Sequence, residues 1–143
     1  MFSQTCKNAI RAVLYLTVKS SPEQKVGISV IAKDLNISQY FLSKILQRVA
    51  KEKIISSTKG PNGGFFMTEE NKKGKLKNII NCIDGNGFFV DCSLGLETCN
   101  SENPCYFHNS FSKLRDEMIV ITNNSFDEMG DIMFDKNNKI IRL

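Results

Sequence analysis

The order of signals between residues 29 and 67 constrains this 143-residue chain more than any other feature. Ser29 opens a short run holding Val30, Ile31, Ala32 and Leu35, and Asn36 follows, a residue that tolerates the left-handed angles of a tight turn. Ser38 then caps a helix expected over residues 39–52, and that helix has two faces. Leu42, Ile45, Leu46 and Val49 form the buried stripe, while Tyr40, Ser43, Lys44 and Gln47 repeat the same spacing on a polar side. Next, β-prone Ile54–Thr58 and Phe65–Met67 flank Lys59-Gly60-Pro61-Asn62-Gly63-Gly64, which reads as a hairpin about an Asn-Gly turn. Two short helices, a turn and a glycine-rich hairpin in this order spell a winged helix-turn-helix, mainly α with one small β-hairpin.

The flanking regions extend that reading. Ser3 suits the N-cap of a first helix running to Ser20, with Ala9, Ile10, Val13, Leu14 and Leu16 inward and Pro22 as a stop. Lys72–Lys75 is a charged linker, and Leu76, Ile79, Ile80 and Ile83 mark a further helix ending at Asp84-Gly85. Residues 85–104 show no periodicity and contain Gly85, Gly87, Gly95 and Pro104; a loop of that length inside a compact domain is usually functional or disordered. A longer helix is expected over 106–122, where Phe111, Leu114, Met118 and Ile121 make a short seam. The tail from Phe134 is polar and expected to be loose. Residues 1–75 thus form a DNA-binding unit, and 76–143 a loop and dimerisation-helix region.

Charge supports a polyanionic partner for the front of the chain. Residues 1–75 carry 13 Lys/Arg against 5 Asp/Glu, whereas residues 76–143 carry 6 against 10. The major groove of B-DNA admits one helix whose N-terminal side chains reach base edges. Ser38, Gln39, Tyr40, Ser43, Lys44 and Arg48 are therefore the candidates for groove contacts. Lys59, Gly60, Pro61, Asn62 and Gly63 of the wing approach the backbone closely. No apolar run is long enough for a membrane span, and the N-terminus lacks a signal peptide's apolar stretch, so a cytoplasmic location is expected.

Cys92, Cys99, Cys105 and the chain's single histidine, His108, follow the pattern C-x6-C-x5-C-x2-H. Thiolates with a neutral imidazole are a donor set for zinc or an iron–sulfur cluster, and cysteines in the cytoplasm are more often thiols or ligands than disulfides. If Pro104 or Cys105 opens the long helix, Cys105 and His108 share its first face. Thiol-based sensing without metal is the third option. Cys6 and Cys82 lie on apolar helix faces and read as packing residues. An electron-transfer or redox-catalytic role is the reading from another class, but no Cys-x-x-Cys pair is present and the wing would go unexplained.

The helix-turn-helix, the wing Lys59–Phe65, the opening Ala9-Ile10-Arg11-Ala12 and the three-cysteine loop together resemble the Rrf-type (Rrf-two) bacterial transcription regulators over about residues 1–130. The resemblance implies a non-enzymatic repressor, a homodimer joined through the long helix, and a roughly palindromic double-stranded operator. The cysteines resemble those of its iron–sulfur branch, the IscR-like and NsrR-like members. That implies a cluster held by Cys92, Cys99, Cys105 and His108, with nitric oxide, redox state or cluster supply as the signal. Three thiolates and one imidazole favour 2Fe–2S. The gap of six residues between Cys92 and Cys99 departs from the IscR spacing and leaves 4Fe–4S open.

Overall fold

A computed structural model describes residues 2–133, and the expected loose tail from Phe134 lies outside the described residues. Helix α1, Gln4–Lys19, opens where expected: the Cys6 N–H donates to Ser3 Oγ at 3.0 Å. Its apolar residues are buried on almost every side, including Ala9, Ala12, Val13, Leu14 and Leu16. Every residue from Ala12 to Thr17 is buried while Gln4 and Lys7 stay exposed, so the second half of α1 lies at the centre of the fold and the other elements assemble on it. At its far end the buried Ser20 hydroxyl donates to the Leu16 carbonyl at 2.6 Å and accepts the Met67 N–H at 3.1 Å. That side chain satisfies the Met67 N–H, which burial would otherwise orphan, and adds a second donor to the Leu16 carbonyl, which already accepts the Ser20 N–H at 3.0 Å.

Helix α2, Ile28–Leu35, starts before Ser29, with Gly27 as its cap. The reason is long-range. Val26 pairs with Phe65, each N–H donating to the other's carbonyl at 2.9 Å, so the chain leaves that bridge directly into the helix. Asn36 takes φ 52° and ψ 50°, the expected left-handed turn. Helix α3, Gln39–Lys51, buries Leu42, Ile45, Leu46 and Val49. From α1, Tyr15 Oη donates to Asp34 at 2.6 Å and Arg11 donates to the Leu35 carbonyl at 2.8 Å, gripping the turn that sets the direction of α3.

Strands β1, Ser56–Thr58, and β2, Gly64–Phe66, pair antiparallel with Ser57 opposite Phe65. The connection is longer than a two-residue Asn-Gly turn. It spans residues 59–63 and closes through the Gly63 N–H on the Gly60 carbonyl at 2.9 Å, with Pro61 at the position its ring favours. A Cβ on Gly64 would stand 2.8 Å from the Val26 carbonyl oxygen, a contact between two backbones that cannot both yield. Gly64→Ala is therefore expected to break the Val26–Phe65 bridge and cost about 1–3 kcal/mol, read from the urea midpoint.

The expected linker begins inside a short helix and ends in a bridge between Lys75 and Ser125. Helix α4, Glu69–Lys72, is closed by a capping box between Thr68 and Asn71. Helix α5, Leu76–Ile83, ends at Asp84 with Gly85 at φ 88°. A single helical turn, α6, Gly87–Val90, interrupts the long loop, and α7 runs His108–Thr122. Helix α8, Phe126–Met133, follows beyond the last helix expected from the sequence. It folds back because the Phe126 N–H donates to the Gly74 carbonyl and the Leu76 N–H to that of Asn124. Phe126 and Ile79 join α1, α2 and α3 in one buried cluster.

Candidate metal centre and reading surface

The cysteine loop is shaped by short-range polar geometry. The Gly95 N–H donates to the Cys92 carbonyl at 2.8 Å, and Gly95 itself has φ 70°, a conformation glycine adopts without strain. This turn aims the N–H groups of Leu96 and Leu94 at the Cys92 sulfur. Those two donors hold its thiol below the usual value. Farther on, Asn100 Oδ1 accepts the N–H groups of Glu102 and Asn103, each at 2.8 Å, and Asn103 Nδ2 donates to the Thr98 carbonyl at 3.4 Å. The reversal returns Cys105 to Cys99, and the Cys105 N–H donates to Cys99 Sγ at 3.4 Å.

The sulfurs of Cys92, Cys99 and Cys105 all lie within 4.8 Å of one another, and each residue is half-buried. All five cysteines are free thiols. His108 Nδ1 is 3.2 Å from Cys99 Sγ, so the imidazole reaches the group through Cys99. At Cys99 the Cys105 N–H favours the thiolate, but lost hydration and the neighbouring thiols of Cys105 and Cys92 outweigh it, and its thiol is raised. A bound cation reverses that balance, because it compensates the clustered negative charge. The expected helix start is corrected: α7 begins at His108, and Cys105 precedes it. A turn hydrogen bond, His108 N–H to the Cys105 carbonyl at 3.0 Å, sets the two residues side by side in place of a shared helix face.

Three thiols with converging N–H donors and one imidazole suit an iron–sulfur cluster or a single soft ion. Arg115 lines the recess of about 310 Å³ beside Cys92, Cys99 and His108 and donates to the Asp91 carbonyl at 3.2 Å. The remaining cysteines stand apart. Cys6 is fully buried, and burial, then Asp84, pushes its thiol up to about 12. Burial also raises Cys82 despite the nearby Arg48 guanidinium.

The polar face of α3 is open. Tyr40 is 73% exposed, Lys44 Nζ sits 4.4 Å from its ring centroid, and Gln47 donates to Ser43 Oγ at 3.2 Å. Ser38 and Gln39 are exposed beside them, as are Lys59, Gly60, Pro61 and Asn62 of the wing, with Gly63 half-buried. Arg48 departs from this set. It lies on the flank of α3 and lines a recess of about 600 Å³ with Glu52, Asn81 and Cys82. Lys51, Ser57, Thr58 and Lys59 line a notch between α3 and the wing. Of these, Lys51 follows Lys44 and Gln47 at helical spacing, a signal the sequence carries, whereas Ser57 and Thr58 reach the notch only through the strand pairing. On α7, Leu114, Val120 and Ile121 are exposed apolar residues. No helix among the described residues is long and apolar enough to cross a membrane.

Comparison with known proteins agrees with this architecture. The family model described as Rrf2, iron-dependent transcriptional regulator, matches residues 2–125. A putative HTH-type transcriptional regulator of Aquifex aeolicus is 29% identical over 120 residues, 82% of each chain. The HTH-type transcriptional regulator IscR of Pectobacterium atrosepticum is 25% identical over 122 residues, 85% of this chain and 73% of that one. Among solved structures, CymR, the global cysteine regulator of B. subtilis, matches with a TM-score of 0.76 at 16% identity, over 92% of this chain and 97% of that one. IscR of T. potens matches with a TM-score of 0.68 at 19% identity, covering 92% and 88%. At these identities the structural likeness shows the fold.

Proposed function

The chain belongs to the Rrf2 family of transcriptional regulators, and from that premise we propose that it is a repressor whose operator affinity is set by an iron–sulfur cluster on Cys92, Cys99, Cys105 and His108. The observation that carries the reading is the convergence of three sulfurs within 4.8 Å on a loop whose backbone N–H groups already face two of them. When bound, such a cluster supplies a redox centre sensitive to oxidant and nitric oxide, with a potential raised by an imidazole ligand.

The chain's own residues do the rest. The Cys92–Gly95 turn and the Asn100 reversal pre-form the ligand loop, so little ordering is left to binding. Two copies join along the exposed apolar side of α7, and each presents one α3 to a half-site of a palindromic operator. Gln39, Ser43 and Lys44 face base edges, with Tyr40 stacked under the Lys44 ammonium and Ser38 at the helix start. Lys59, Gly60, Pro61, Asn62 and Gly63 carry the wing along the phosphates. Arg48, on the flank of α3, contributes a phosphate contact at the edge of this surface.

The close sulfur set also favours a second reading, a single zinc ion, because zinc–thiolate bonds of about 2.3 Å gather sulfurs this tightly. Iron and acid-labile sulfide measured on anaerobically purified protein separate the two. Both elements in equal, stoichiometric amounts are expected with 2Fe–2S; zinc with neither of them overturns the cluster.

A further inference from the structure

The loop that bears the cysteines and the turn that aims α3 are joined within one subunit by a short series of contacts. Asp84, the cap of α5, accepts both the N–H of Ser3, at 2.9 Å, and its hydroxyl, at 2.5 Å. Its carboxylate stands at the positive N-terminal end of α1, where negative charge is favoured, and it faces the buried Cys6 thiol. One turn farther along the chain, the Phe88 ring of α6 packs on Phe2 with centroids 5.2 Å apart. Phe88 also lines a groove with Cys92, Phe111 and Arg115. The start of α1 is thus held at two points by the segment that delivers Cys92. The middle of α1 grips the helix-turn-helix through Arg11 and Tyr15.

We propose that this Ser3–Asp84 and Phe2–Phe88 latch transmits the state of the cysteine loop to α3 through α1, with Asp84 as its positioning residue. The proposal rests on the cysteines being the sensing site. A packed helix moves as a body, because its core contacts are bistable and do not deform continuously. A shift of α6 and Asp84 therefore displaces α1 and the turn held by Arg11. Arrangement alone does not establish coupling; a response at a distance does.

Amide hydrogen exchange on the full chain tests it, with zinc as the probe that gathers the sulfurs so that the result does not depend on the native metal. In the wild type, zinc slows exchange across residues 85–108 and also, about tenfold, in the first turn of α1 and across residues 35–39. In Asp84→Asn, which keeps one acceptor and loses the charge, protection over 85–108 persists and the distant effect falls below about twofold. Asp84→Glu restores it. Phe88→Leu, which keeps apolar volume without the ring, weakens it in the same direction and replaces Asp84→Asn should that variant unfold. Protection that stops at residue 108 in the wild type, or that spreads undiminished in the variants, overturns the latch. Absence of iron and sulfide from the native protein overturns the cluster reading alone and leaves this outcome readable.

Discussion

Cys99→Ala is expected to leave a folded protein that keeps less than about a tenth of the wild-type iron and loses its visible absorption. Cys99 is the hub of the site: its sulfur receives the Cys105 N–H, stands 3.2 Å from His108 Nδ1 and is grouped with the other two sulfurs. Removing it takes away a ligand and the contact that orients the imidazole. Compared with metal-free wild type, its global stability should change by no more than about 0.5 kcal/mol, because the loop lies outside the buried cluster. Cys82→Ala is the matched control, since that thiol sits on α5 away from the gathered sulfurs, and it should retain full iron. Iron content and the visible spectrum, both taken without oxygen, read the two variants. Equal loss in both would mean that the loop is not the site.

Phe126→Ala carries the largest expected effect on stability, about 3–5 kcal/mol. The ring is fully buried and close-packed against Gly74; a Cβ there would lie 2.6 Å from Phe126 Cε2. The Phe126 N–H on the Gly74 carbonyl, at 2.9 Å, anchors the start of α8, which then lies along α1. Truncation opens a cavity at the centre of the fold, and the backbone anchor, which alanine keeps, is left to hold α8 without the packed ring. Urea unfolding measures it as a fall in midpoint with little change of slope. A cost below about 1 kcal/mol would show that α8 is an appendage and not part of the core.

Local signals were legible where the cause is local. Ser3 as a cap, Asn36 in a left-handed turn, and the stripe Leu42, Ile45, Leu46 and Val49 all follow from neighbouring residues, and the structure has each of them. The start of α2 at Gly27 depends on Val26 pairing with Phe65, residues far apart in the chain, so the nearby Ser29 was a misleading cap. Helix α8 escaped because it is short and its burial depends on Gly74 and α1. At the cysteines, spacing picked out the residues but could not show how they meet. The convergence comes from Asn100, Gly95 and backbone N–H groups, which have no periodicity to read. Arg48 lies outside the polar stripe of Tyr40, Ser43, Lys44 and Gln47, and the helical angle sets it on the flank beside Glu52 and Cys82.

The governing idea is that occupancy of the cysteine loop changes how firmly the α3 and wing surface holds DNA. Its most direct test uses one anaerobic preparation bound to its own operator at fixed salt, before and after the metal is stripped by a chelator. The two dissociation constants are expected to differ by about fivefold or more, the lower end of ordinary coupling between distant sites. Equal constants at every salt concentration, in protein that demonstrably carried iron and sulfide, would contradict it.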